Sequence, residues 1–450
     1  MVLKNKKVLI VGLGKTGVAT ARFLRQRGAL VSATDIRPEA AIAEAEELSN
    51  LGVNIEAGGH RVESFLDSDF IVVSPGVPPD IEPLRRAGEK GIPIISEVEL
   101  ACDGIKEPIV GITGTNGKTT TTALIGEVFR EAGIDVFVGG NIGRPLVGYS
   151  GGARYVIAEL SSFQLEGISK FRPFIAVMLS ISEDHLDRYP DLDSYKSAKE
   201  RIFKNQRRSD YAILNLDDPI VRDMRGKTKA RVYWFSSIEK PRRGVFLNGL
   251  TALFRDGVGG EEEFSLDAVK SPAVMHENVM AAILATKLCG VEKAAIQQAI
   301  MSFKGLPHRC EWVAEKGGVG YYDDSKGTNV GAVIRALQSF DPPIILIAGG
   351  RDKGGSYAPL RTLIEEKVKS LILIGEARER MAEALAGATE IKMADSMEDA
   401  VRIAHRNGQK GFKVLLSPAC SSFDMFANYE ERGRVFQEAV RRLSGSEGNG

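Results

Sequence analysis

Between the apolar dipeptide Ile109-Val110 and a helical pattern stands GITGTNGKTTTTALIG, Gly111 to Gly126. Gly114 and Gly117 carry no side chain, so consecutive backbone N–H groups there can face phosphate oxygens. Lys118 can reach terminal phosphates, and the Thr119 hydroxyl can ligate Mg²⁺. The strict G-x-x-x-x-G-K-[ST] spacing asks for glycine where Ile112 stands, and Gly111 lies one residue outside it. The stretch is therefore an ATP site of altered spacing or a glycine-rich turn. Strand, Gly-Lys-Thr and helix start are all present, which favours ATP. A metal beside such a loop needs carboxylates, and Glu159 ends the apolar run in RYVIAELSSFQLE. His185, in SISEDHLDRY, follows another strand end; taken alone it also fits a surface or hydrogen-bonded histidine. Lys196 and Lys199, in DSYKSAKERIF, read by themselves as the solvated face of a helix. GLGKTG, Gly12 to Gly17, matches G-x-G-x-x-G between a strand and a helix, with Asp35 ending the next strand. That pattern fits a dinucleotide, a tight strand–helix turn, or another diphosphate at a helix N-terminus.

These residues need elements to hold them, and the chain is long enough for several domains at 450 residues. Strand–glycine turn–helix units recur along it. KKVLIVGLGKTGVATARFLRQRG puts Val18, Ala21 and Leu24 on one helical face, and ALVSATD and DFIVVSPGVPP add strands ending at Asp35 and Ser74-Pro75-Gly76. Strands alternating with helices predict parallel, doubly wound sheets. GIPIISEVEL leads away from this first unit, placing a boundary near Ser96. The expected class is α/β in three domains: a Rossmann-like unit at 1–97, a P-loop unit at 98–304, and a second Rossmann-like unit at 305–450. Within the middle unit, RVYWFSS through GEEEFSL reads as a small antiparallel appendage. The C-terminal SGSEGNG reads as a disordered end.

Lys plus Arg equals Asp plus Glu at 59 each, which gives no electrostatic case for nucleic acid or an anionic membrane. No run approaches the roughly 20 apolar residues of a membrane span. The start MVLKNKKVLIVG has no signal-peptide h-region, and Cys102, Cys289, Cys310 and Cys420 lack metal-ligand spacing. A cytoplasmic protein acting as a monomer is expected.

With GTNGKTT, ELSSFQLE, EDHLDRY, GLPHRCE, DDSKGTN and LLSPACSSFDMF in this order, the chain resembles the Mur ligases over essentially its whole length. These are ATP-dependent amide-forming enzymes of peptidoglycan precursor synthesis, related to folylpolyglutamate synthetase. At DDSKGTN it is most similar to members that add D-glutamate to UDP-N-acetylmuramoyl-L-alanine. Other members typically carry a histidine- or asparagine-proline pattern there. The family's loop, G-x-x-G-T-N-G-K-T, accommodates Ile112.

The resemblance implies that the first glycine motif holds a uridine diphosphate, with Thr16, Asp35, Arg37, Ser74 and Gly76 as contacts and Asn141 at a further substrate position. It assigns Gly114, Thr115, Asn116, Gly117, Lys118, Thr119 and Thr120 to ATP. Thr119, Glu159, His185 and Lys199 fall at metal-associated positions for two Mg²⁺ sites, Lys199 as a carbamate. Ser161 and Gln164 lie near the muramoyl part. Arg309 and Asp324 match positions that close over ATP, and Lys326, Thr328, Lys353, Ser422 and Phe423 surround D-glutamate. The family's His-Asn pair before Glu-Asn is missing: PAVMHENVMAA has Val274 and Met275 there, leaving Asn278 as the adenine-side candidate. The implied reaction phosphorylates the alanyl carboxylate and lets the amine of D-glutamate attack. Lys118, Mg²⁺ and Arg309 would screen the charge, and domain closure would exclude water. A folylpolyglutamate-type ligase would not need the GLGKTG domain. A P-loop regulator would not explain DDSKGTN together with SPACSSFDMF.

Overall fold

Val8, Leu9, Ile10 and Val11 run without a polar interruption because both faces of their strand are covered, as in a parallel sheet flanked by helices. In the computed structural model, which describes residues 2–185, 188–267, 269, 275–352 and 354–443, this strand is central to a five-stranded sheet. The strand order is Asn54–Ala57, Leu30–Asp35, Lys7–Val11, Phe70–Val73, Ile94–Ser96, all parallel. Chain order reverses between Lys7–Val11 and Phe70–Val73, and such a switch point opens a crevice at the strands' carboxyl ends. The helix Lys15–Gln26 buries Val18, Ala21 and Leu24 as its spacing predicts.

The segment GIPIIS departs from expectation. Instead of leading away, Ile94–Ser96 pairs with Ile71–Val73 as the fifth strand of this sheet. The chain then enters the helix Glu97–Cys102, whose acidic side chains are buried. Glu99 accepts the N–H groups of Ser169, Lys170 and Phe171, and Glu97 accepts that of Val147 at 2.7 Å. This short helix thus ties the first sheet to the second.

The second sheet has nine strands, with Ile109–Thr113 parallel to both Tyr155–Glu159 and Ile175–Met178. A Cβ on Gly111 would come within 3.1 Å of Leu160 Cδ1, so a side chain there would have to push that leucine aside by a few tenths of an ångström. The expected antiparallel appendage is a continuation of this sheet. Arg231–Ser236 pairs in parallel with Tyr211–Asn215, and Gly244–Asn248 in parallel with Arg231–Ser236. Only the two pairings made by Thr251–Arg255, with Gly244–Asn248 and with Glu261–Ser265, are antiparallel. The extra strands satisfy the backbone row that Tyr211–Asn215 would otherwise leave unpaired, and the outermost, EEEFS, is blunted by charge.

The third sheet runs Glu311–Lys316, Val319–Asp323, Lys413–Leu416, Ile344–Gly349, Val368–Ile374, Glu390–Met393. Its first pair is antiparallel and the rest parallel. Alternation sorts its side chains by face: Leu346, Ala348, Leu371, Leu373 and Leu415 join one core, while Ile345, Ile347, Ile372, Val414 and Leu416 join the other. By packing, the described residues form two units. One comprises Met1–Ile181, Asp193–Leu266 and Glu277–Met301; the other comprises Ser182–Leu192, Asp267–His276 and Ser302–Gly450. No described helix is long and apolar enough to cross a membrane. Lys353, Val274 and the C-terminal SGSEGNG lie outside the described residues.

Candidate active site

The turn after Ile109–Thr113 is built for close backbone approach. Gly117 caps the helix Lys118–Glu131 at φ +82°, and a Cβ there would overlap Asn278 Oδ1. The loop is anchored by Thr115 N donating to Ser180 O at 2.7 Å and Asn116 N to Ser180 Oγ at 3.3 Å. Lys118 Nζ donates to the carbonyls of Gly114 and Thr115, each at 2.9 Å. Thr119 opens the helix half-buried, and Thr120 packs into the core. The Asn116 amide nitrogen is buried without a hydrogen-bond partner. Asn278, on the helix His276–Leu288, is buried against this turn even though the His-Asn pair before it is absent. Asn278 thereby remains at the loop expected to carry ATP.

Glu159 ends the strand next to the loop and is 1% exposed. Its Oε1 accepts from Asn141 Nδ2 at 2.9 Å, and Asn141 N donates to Glu159 O at 2.8 Å. Oε2 is buried with no hydrogen-bond partner. A buried carboxylate oxygen left open in this way is costly unless a cation or donor meets it. Ser161 and Gln164 form a capping box at the start of the helix Ser162–Glu166 just beyond, so their polar groups first hold that turn.

Lys199 overturns the solvated-face reading that the isolated sequence allowed. It is 1% exposed, at the end of the helix Leu192–Glu200, and its Nζ donates to Gly114 O at 2.9 Å. The Tyr195 ring lies under the same Nζ, with its centroid 4.7 Å away. Lys196, three residues earlier, is half-buried, with its Nζ 3.8 Å from Glu200 Oε1.

At the first sheet's crevice the structure gathers Thr16, Ser74, Asp35 and Arg37 around one turn. Gly17 has no room for a side chain because a Cβ would overlap the Gly12 carbonyl; Ser74 Oγ donates to that same carbonyl at 2.7 Å. Thr16 lies in the first turn of the helix and Gly76 follows in open space. Asp35 is fully engaged. Its Oδ2 accepts Leu13 N at 2.7 Å and Arg37 Nη2 at 2.9 Å, while Oδ1 takes Arg37 N and Nε. The Arg37 hydrogen bonds hold the Asp35 carboxyl down at about 2. Arg37 is half-exposed while held by this pair and by the Leu13 carbonyl, to which its Nη2 donates at 3.1 Å.

The other unit holds the remaining candidates. A cavity of about 240 Å³ is lined by His185 and Asp184, by Asn329, and by Asp352, Tyr357 and Ala419. Asn329 caps the helix Val330–Gln338 and donates to Asp184 Oδ2 at 3.0 Å. Asp324 follows the strand Val319–Asp323; burial pushes its carboxyl up to about 7, against the pull of the Ser417 hydroxyl at 2.7 Å and the nearby Arg309. Lys326 Nζ lies 3.7 Å from the centroid of the Tyr429 ring. Thr328 is half-buried in the same turn, Ser422 is buried, and Phe423 is exposed.

Two groups here were not legible from spacing. Arg432, 1% exposed on the helix Tyr429–Arg442, donates to Ser325 Oγ and O and to the carbonyls of Cys420 and Ser421. It ties together the loops that carry Lys326 and Ser422. YEERGRVF has the look of a solvated amphipathic helix, so nothing in its pattern marks this arginine. His308, Glu311 and Asp323 also cluster closely enough to hold a cation. The Gln437 amide nitrogen, however, donates to both carboxylates, and His308 Nδ1 meets Asp323 at 2.7 Å, so the cluster reads as a closed hydrogen-bond network.

Residues 6–96 match the family profile "Mur ligase MurD-like, N-terminal domain", 112–285 match "Mur ligase middle domain", and 308–420 match "Mur ligase, glutamate ligase domain". The chain belongs to the Mur ligase family. It is 52% identical over 99% of its length to the whole of a protein from Geotalea daltonii named UDP-N-acetylmuramoylalanine–D-glutamate ligase. A Geotalea uraniireducens protein of the same name is also 52% identical, over the full length of both chains. Among solved structures, a pseudomurein peptide ligase type C from Methanothermus fervidus is similar over 98% of this chain and all of its own, with TM-score 0.63 at 18% identity. A MurF ligase from Thermotoga maritima solved in complex with ADP has TM-score 0.59 at 16% identity, over 98% of this chain and 96% of its own. At those identities the likeness concerns the fold.

Proposed function

We propose that this chain joins D-glutamate to UDP-N-acetylmuramoyl-L-alanine in an ATP-driven amide synthesis that releases ADP and phosphate. The carrying observation is identity of 52% across essentially the full length to relatives named for that substrate pair. The matched N-terminal profile disfavours a folylpolyglutamate-type reading.

Residues 1–97 are proposed to hold the uridine diphosphate, with Thr16, Arg37, Ser74 and Gly76 as contacts and Asp35 acting through Arg37 and the Leu13 N–H. Residues 98–304 are proposed to hold ATP through Gly114 to Thr120 and Asn278, with Asn141, Ser161 and Gln164 toward the muramoyl end. Residues 305–450 are proposed to bind the amino acid through Lys326, Thr328, Lys353, Ser422 and Phe423, with Arg309 and Asp324 toward the nucleotide. The open Glu159 Oε2 and the glycine-lined loop fit a divalent cation beside a polyphosphate. Thr119, Glu159, His185 and Lys199, the last as its carbamate, are the residues proposed to hold Mg²⁺. A bound divalent ion would neutralise charge on the phosphoryl group in transfer.

In this reading the alanyl carboxylate takes the terminal phosphoryl of ATP. Lys118 steadies the transferred charge, and the deprotonated amine of D-glutamate then displaces phosphate through a tetrahedral intermediate. Monomeric action in a reducing cytoplasm suits four unpaired thiols, and sedimentation equilibrium would test the monomer. The deciding experiment is phosphate release from ATP. It is expected only when the UDP-muramoyl-alanine substrate and D-glutamate are both present, and equal turnover with L-lysine or diaminopimelate would sink the assignment.

A further inference from the structure

We propose that Arg380, which is not among the residues lining the cavity, sets the affinity for the incoming amino acid by fixing the loop that forms one of the cavity's walls. The inference rests on the reading of this unit as the amino-acid-binding part.

Arg380 lies on the helix Arg378–Ala384. Its guanidinium reaches three acceptors on the loop after the strand Ile344–Gly349. One nitrogen pairs with Asp352 Oδ2; another donates to Gly355 O at 2.7 Å and to Gly354 O at 3.3 Å. Asp352 Oδ1 in turn accepts Gly354 N and the Tyr357 hydroxyl, each at 2.9 Å. The Tyr357 hydroxyl also meets Cys420 Sγ at 3.2 Å, next to Ala419. Asp352, Gly355, Tyr357 and Ala419 all line the cavity that holds His185.

The planar fork of one arginine thus spans the Asp352 carboxylate and the Gly354 and Gly355 carbonyls, and glycine has no side chain of its own to hold the backbone in place. An ion pair between partly exposed side chains contributes little when it stands alone. Here it is joined to two further bonds that fix where the backbone runs. Losing them lets the wall sample other positions, and the cost falls on binding before it falls on folding. Arg380 is accordingly a positioning residue.

The test is steady-state kinetics of the full chain with D-glutamate, ATP and the UDP-muramoyl-alanine substrate varied in turn. Arg380→Ala is expected to raise KM for D-glutamate about tenfold, with kcat and the other two KM values within about threefold. Arg380→Lys should recover only part of the loss, because an ammonium can pair with Asp352 but cannot span the two carbonyls. In the double variant Arg380→Ala, Asp352→Asn the two effects should be less than additive. Saturable use of D-glutamate by the wild type with an unchanged KM in Arg380→Ala overturns the inference alone. So does an equal rise in all three KM values with a lowered Tm, which marks a general structural role. A wild type that releases no phosphate with D-glutamate overturns both the reading of the unit and this inference.

Discussion

Lys118 Nζ and Lys199 Nζ both donate to the carbonyl of Gly114, each at 2.9 Å. Two ammonium groups converging on one oxygen repel, and the repulsion is felt more strongly in a buried place. A carbamate on Lys199 would keep one N–H for the carbonyl and exchange the cation for a single negative charge shared by two oxygens, a group able to ligate a metal. Lys199→Ala is therefore expected to lose most turnover in the phosphate-release assay while retaining a cooperative melt. Short carboxylic acids should restore part of the activity, and full activity without them would falsify the carbamate role. Glu97 supplies a pH test on the same scale. Burial pushes its carboxyl up to about 7 from an unfolded value near 4.5. The native state thus holds the proton more tightly, and the penalty for ionising is absent below about pH 4.5. It grows through pH 7 and then levels off at roughly 3 kcal/mol. Glu97→Gln, which keeps an acceptor for Val147 N, should gain Tm over wild type progressively from pH 5 to pH 8. Parallel Tm profiles would refute this origin for the pH dependence.

The turn between Ile109–Thr113 and Lys118–Glu131 is the element on which the proposed nucleotide site depends. Gly117 combines a left-handed backbone with contact to Asn278, so Gly117→Ala must both strain the turn and push the asparagine away. Strain of this kind costs about 1–3 kcal/mol. The expected outcome is a KM for ATP raised by an order of magnitude or more, with a smaller effect on the nucleotide-sugar substrate. Isothermal titration with ATP and Mg²⁺ checks it directly. The short helix Glu97–Cys102 works differently. Glu99 satisfies three N–H groups of the loop at Ser169–Phe171, which precedes the strand Ile175–Met178. It therefore holds the first and second sheets in register without touching any proposed ligand.

Across the molecule, separate sheets carry separate candidate sites, so their affinities should be separable. Asp35→Ala frees Arg37 and the Leu13 N–H at the first sheet's crevice. Its effect should be a raised KM for the UDP-muramoyl-alanine substrate, with KM for ATP within about twofold, since distant sites behave nearly independently. Comparable increases in both constants would show that the first sheet also governs the nucleotide loop. Detectable NADH binding would favour a dinucleotide at the first glycine motif.

Local order along the chain was enough to mark the candidate residues: Gly-Lys-Thr between strand and helix, Glu159 at a strand end, and a glycine turn followed by Asp35. These signals survive in one dimension because a helix N-terminus, a glycine turn and a strand end are each specified by neighbouring residues. Alternation likewise foretold parallel sheets. It failed at Ile94–Ser96 and at Arg231–Ser265, where the strand's place depends on a partner distant in sequence and on an edge that needs covering. Lys196 and Lys199 sit three residues apart on one helix with the same side chain, yet one is half-buried and the other lies beneath the phosphate-loop candidate. Arg432 and Arg380 were invisible for the same reason, since their acceptors are carbonyls and a carboxylate brought to them from other loops. The sequence by itself determined which chemistry the chain can hold. Which lysine is buried, which arginine braces a loop and which carboxylate is left open were decided by tertiary packing, because burial and long-range hydrogen bonds are properties of neighbours in space.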